Sequence, residues 1–128
     1  MNIQFAYTIS PKVKWSTNNF IELNERINKI ISSCNIDLNE KIKTLYVGIL
    51  YLNDEHFDKL NARKLRTSLS KQSVSIEVKI PQDLTTWDDI ERLIISEIIN
   101  AIKIIVNKKY IKSNEIINLL LKTFQLTG

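Results

Sequence analysis

Apolar and polar positions change period several times along the chain, and each change marks an element. Residues 2–9 alternate, with Ile3, Phe5, Tyr7 and Ile9 on one side and Gln4, Ala6 and Thr8 on the other, the two-residue period of a strand. Ser10 and Pro11 stop it. Ser16 or Thr17 then caps a helix predicted to reach about Cys34. Its apolar stripe is Phe20, Leu23, Ile27, Ile30, Ile31 and Cys34, and Glu22, Glu25, Asn28 and Lys29 are expected to face water. Beyond the polar stretch 35–40, residues 43–52 are apolar at both parities, which predicts a strand buried on both faces. Gly48 inside that strand predicts a close approach or a bulge.

Residues 53–65 fit two patterns. Asn53 or Asp54 suits the cap of a short helix through Phe57, Leu60 and Ala62, whereas Leu65, Thr67 and Leu69 alternate as a strand does. A turn over 70–73 leads into the clearest amphipathic strand, where Val74, Ile76, Val78 and Ile80 alternate with Ser75, Glu77 and Lys79. Pro81 ends it. Thr85 with Asp88, or Thr86 with Asp89, has the spacing of a capping box, and Asp88, Asp89 and Glu91 complement the positive end of a helix dipole. The helix that follows keeps a thin polar line (Asp89, Arg92, Ser96, Asn100, Lys103, Asn107) and is apolar nearly everywhere else. So wide an apolar arc must be covered on more than one side, either within the chain or by a second copy in a homodimer. Residues 107–109 loosen it, Ser113 recaps, and Ile116, Ile117, Leu120, Leu121 and Phe124 form a last amphipathic helix.

The order β-α-β-(short α)-β-β-α-α predicts a single α+β domain over 1–128. Its sheet is expected to be mostly antiparallel, of about four strands, with helices on one face. No repeat, low-complexity tract or linker divides the chain.

Composition changes this picture mainly by exclusion. With one histidine (His56), one cysteine (Cys34) and two glycines (Gly48, Gly128) in 128 residues, the usual acid–base, thiolate, zinc and phosphate-cradling constellations cannot be assembled. The expectation is therefore a protein that is not an enzyme and holds neither metal nor cofactor. A single cysteine makes no internal disulfide, and the N-terminus lacks a signal-peptide pattern. The longest apolar run, 90–106, is broken by Glu91, Arg92, Glu97 and Lys103, so no membrane span is expected. Together these point to a cytoplasmic protein. Richness in isoleucine, asparagine and lysine suits an AT-rich genome and hints at a bacterium or phage.

The net charge of +4 is sorted into segments rather than spread. Acidic side chains gather at Asp54, Glu55 and Asp58 around His56, and at Asp83, Asp88, Asp89 and Glu91, where no base follows until Arg92. Basic ones gather at Lys59, Arg63, Lys64, Arg66 and Lys71, and at Lys103, Lys108, Lys109 and Lys112 around Tyr110. His56 reads as part of an acidic loop or helix start, or as a general base or metal ligand, Cys34 as a small core residue, Trp87 as a staple between helix and core, and Trp15 as a staple or an interface anchor.

In size, cytosolic character, α+β plan and the absence of catalytic equipment, the chain resembles the immunity proteins of bacterial contact-dependent and polymorphic toxin systems. The resemblance spans the strand Asn2–Ile9 through the long helix to Val106 and rests on architecture and composition. It implies a tight stoichiometric complex with a cognate protein toxin domain, which it covers or distorts without chemistry. Immunity proteins against nuclease toxins are often acidic, whereas this chain is basic. That leaves the toxin's activity open, or makes the acidic segments the local contact surface. The contact residues then expected are Asp54, Glu55, Asp58, Asp83, Asp88 and Asp89, with Trp15 as anchor. The alternative is a small nucleic-acid-binding domain that uses the basic segments 59–71 and 103–112.

Overall fold

The computed structural model describes residues 2–9, 17–34, 41–51, 65–81, 83–84, 86–111 and 115–126. Its elements are β1 (Asn2–Ile9), α1 (Thr17–Ser32), β2 (Thr44–Tyr51), β3 (Arg66–Ser68), β4 (Ser73–Ile80), α2 (Trp87–Asn107) and α3 (Glu115–Thr123). The short helix considered over 53–65 falls largely outside the described residues. Residues 66–68 are strand, as the alternation around Thr67 suggests.

The fold is α+β, and the four strands form one sheet in the order β1-β2-β4-β3. The sheet is mixed, which corrects the expectation of a mostly antiparallel one. β1 and β2 run parallel, as do β2 and β4, and only the short β3 lies antiparallel to β4. The physical reason is in the order of elements: α1 carries the chain back to the end at which β1 began, the crossover that parallel neighbours require.

The register aligns Ile3 with Leu45 and Val74, and Phe5 with Val47 and Ile76. This row, together with Ile49, Val78 and Ile80, joins the buried core. α1 packs on β1, α2 packs on β4, and α3 bridges the two helices. On α1, Phe20, Leu23, Ile27, Ile31 and Cys34 are buried, as their stripe predicts. On α2, Ile90, Ile94, Ile95, Ile98, Ile99, Ile102 and Ile105 are buried within the one chain, which accounts for most of the wide apolar arc.

The opposite sheet face is polar. Gln4 and Ser75 are exposed, Tyr46 is 42% exposed, and Gly48, Glu77 and Lys79 are half-buried. Tyr46 therefore corrects the reading of β2 as buried on both sides. Gly48 is corrected too. β2 pairs without a bulge, and a Cβ there would sit 3.5 Å from Glu77 Cγ and 3.6 Å from the Ile76 carbonyl, which is ordinary contact.

β1 is an edge strand, and α1 closes part of that edge with two asparagines one turn apart. Asn28 Oδ1 accepts the Ile3 N–H at 2.8 Å, and Asn24 Oδ1 accepts the Phe5 N–H at 3.1 Å. Both side-chain amides donate to the Ile3 carbonyl, at 2.8 and 2.9 Å. The pair stands in for a neighbouring strand, which satisfies the edge and blocks it. Asn28, expected to face water, is instead half-buried and bonded.

Two helices end without glycine. Lys109 (φ 61°) follows α2, where its N–H bonds the Val106 carbonyl and the Tyr110 N–H bonds that of Ile105. Gln125 (φ 54°) repeats the arrangement after α3, with Gln125 N–H on Lys122 and Leu126 N–H on Leu121. Both are Schellman closures, in which a left-handed residue folds the chain back to satisfy the last carbonyls.

Candidate interaction surface

The charged and polar side chains that are open to a partner are organised by α2. Its start is fixed by Thr86, in extended conformation, whose Oγ1 accepts the Asp89 N–H at 3.3 Å and whose hydroxyl donates to Asp89 Oδ2 at 2.8 Å. This is the second of the two capping pairs the sequence offers. Asp89, Asp88 and, in the preceding turn, Asp83 are all exposed, but Asp89 is tied to the helix cap. Beside the cap, Trp87 meets Phe20 edge-on, with centroids 5.0 Å apart and rings at 90°, and so staples α2 to α1.

Glu91 has a base that sequence spacing did not reveal. Arg26 of α1 lies 3.0 Å from it, and the same guanidinium sits 4.7 Å from the ring centroid of Phe124, just past α3. One arginine therefore ties three helices together.

Further along, Arg92, Ser96, Asn100 and Lys103 of the polar line form one wall of an open groove of about 190 Å³. Leu121, Gln125 and Leu126 form the other, held there by the left-handed turn at Gln125. The sequence places the polar line on α2 but gives no sign of the groove, because its second wall depends on how the end of α3 folds back. Arg92 also borders a smaller depression of about 160 Å³ with Asp88, Glu91, Ile95 and Phe124.

Lys108 and Lys109 are exposed at the far end of α2. Acid at the start and base at the end both suit the helix dipole. The 21-residue helix separates them by about 30 Å. Tyr110 is packed against the core, so its ring is not a free platform for a base. Arg66 and Lys71 are exposed on the β3–β4 hairpin. Asp54, Glu55, His56, Asp58, Lys59, Arg63, Lys64, Lys112 and Trp15 lie outside the described residues.

Cys34 is buried, with its Sγ 3.5 Å from the Ile30 carbonyl. Burial pushes its thiol pKa up, and the nearby Glu115 carboxylate adds to that. Both effects oppose a nucleophilic thiolate and suit a core residue. Among the described residues no group of His, Cys, Asp and Glu is placed to hold a metal, and no helix is long and apolar enough to cross a membrane.

Comparison with protein-family models, with curated proteins and with solved structures finds no match. What the chain defines by itself is an α+β fold on a mixed four-stranded sheet, whose long second helix carries exposed acid at its start and exposed base at its end.

Proposed function

We propose that the chain is a non-catalytic protein-binding module that holds a protein partner in a tight stoichiometric complex in the cytoplasm. The model for this action is an immunity protein neutralising its cognate toxin. The observation that carries the reading is acid at the start of one long helix and base at its end, with Arg92 and Glu97 exposed between them. Asp83 and Asp88 are exposed at its start and Lys108 and Lys109 at its end. Such a field orients a complementary partner before contact and raises the rate of productive encounter.

Within the proposed contact set, Asp88 is exposed in the first turn of α2 and Asp83 in the turn before it, and Asp54, Glu55, Asp58 and Trp15 complete the set. Asp89 contributes through the cap it forms with Thr86, so its replacement weakens the helix as well as the contact.

The test is charge reversal at the two open acids. The D83K/D88K variant is expected to lower the urea midpoint only slightly, through the reversed dipole interaction at Asp88, and to lose most of the partner that the wild-type chain captures from its native lysate. Equal capture by both chains would remove Asp83 and Asp88 from the interface.

A further inference from the structure

The groove between α2 and the end of α3 carries a charge that nothing on its walls answers. Arg92 and Lys103 line it and no acidic side chain does. Among the described residues neither cation forms an ion pair, since the bridge at this end of the helices joins Arg26 to Glu91. Between the two cations stand Ser96 and Asn100, which donate and accept hydrogen bonds, with Gln125 opposite. Ile99, Leu121 and Leu126 supply the apolar lining. Just beyond Lys103, Ile104 is 41% exposed.

Spacing selects the ligand. Arg92 and Lys103 are eleven residues apart on α2, and at 1.5 Å per residue this is about 16 Å. An extended peptide rises about 3.3 Å per residue and turns alternate side chains to opposite faces. Carboxylates four residues apart therefore share a face and stand about 13 Å apart, within reach of the long Arg92 and Lys103 side chains. A phosphate backbone, charged at every nucleotide, would find hydrogen-bond donors at Ser96 and Asn100 but no cation for its middle charges.

We infer that this groove takes an extended, acidic segment of a partner protein, with one carboxylate on Arg92, one on Lys103 and small or apolar residues between. The inference rests on the reading of the chain as a protein-binding module, but it concerns a different surface and partner chemistry from Asp83 and Asp88. Asp88, one turn before Arg92, sets the polarity of the site: it repels acid beyond the Arg92 end and so limits the length of the acidic segment.

The test is a titration of the isolated, 15N-labelled chain, followed by amide chemical shifts. The probe is a five-residue capped peptide with aspartate at both ends and leucine and serine between. Shifts are expected in the stretch from Arg92 to Ile104 and at Gln125 and Leu126, and they should weaken as salt is raised. The R92E/K103E variant is expected to lower the affinity by about tenfold, the loss of two exposed charge pairs. R92Q/K103Q serves if the reversal disturbs the fold, with a smaller loss in the same direction. No shift in the groove, equal binding of a peptide with lysine at both ends, or tighter binding of a hexathymidylate at the same amides would each overturn the inference. Because this titration needs no natural partner, its failure is distinguishable from an unchanged capture by D83K/D88K.

Discussion

Removing the asparagine clamp on β1 should destabilise the fold by an amount the structure allows to be worked out. Asn28→Ala deletes two hydrogen bonds, to the Ile3 N–H at 2.8 Å and from its own amide to the Ile3 carbonyl at 2.9 Å. The carbonyl keeps the Asn24 amide at 2.8 Å, so it is not orphaned. The Ile3 N–H loses the acceptor it has on α1. At about 1 kcal/mol net per bond the loss is about 2 kcal/mol. Alanine's better helix propensity returns up to about 0.7 kcal/mol, leaving a net cost of about 1–2 kcal/mol. The N24A/N28A double variant deletes all four bonds and should cost about 3 kcal/mol by the same reasoning. Urea unfolding measures both, with the slope m unchanged if the native surface is unchanged. Asn118→Ala, on an exposed position of α3, is the control and should stabilise slightly through propensity alone. With its edge bared, the double variant should also elute as dimer or larger species in size exclusion. A double variant as stable as wild type would refute the clamp.

The remaining predictions concern single positions. Lys109→Gly should raise stability by about 0.5–1 kcal/mol in urea unfolding, because Lys109 holds a left-handed conformation that glycine adopts without steric cost. Gly48→Ala should be neutral or slightly stabilising in the same assay, since the added Cβ meets only ordinary contacts at 3.5 and 3.6 Å. The folded Cys34 thiol keeps its proton to higher pH than the unfolded one, chiefly because it is buried. Unfolding therefore releases a proton once pH enters the ordinary thiol range. Stability should be full below that range and fall as pH rises through it, and Cys34→Ala should abolish that part of the slope in a pH series of denaturation curves.

The elements were legible where one period was unambiguous. β1, β4, α1 and α2 follow their alternation or their apolar stripe, and the Thr86–Asp89 spacing locates the start of α2. Strand direction was not legible. The alternation of Val74–Ile80 with Ser75, Glu77 and Lys79 is the mark of a sheet with one wet face, usually an antiparallel one, and here the same pattern serves a parallel sheet. The β-α-β order at the N-terminus was the better guide. The end of α2 was legible at residues 107–109, where it falls, but the left-handed closures at Lys109 and Gln125 were hidden because glycine is the usual signal there. Asn28 reads as a surface polar residue, yet with Asn24 it makes two poor helix formers at i and i+4 beside the apolar stripe, a detectable cost that their bonds to β1 repay. The Arg26–Glu91 pair and the groove beside Arg92 depend on contacts between helices, which no local spacing encodes.

The measurement that bears most directly on the central claim is capture of the tagged, intact chain's partners from native lysate, treated with nuclease and washed at high salt, with masses read by native mass spectrometry. A complex with one protein in fixed stoichiometry is the predicted result. Recovery of nucleic acid, or of proteins that depart on nuclease treatment, would contradict the account and move function to the lysines and arginines of the basic segments.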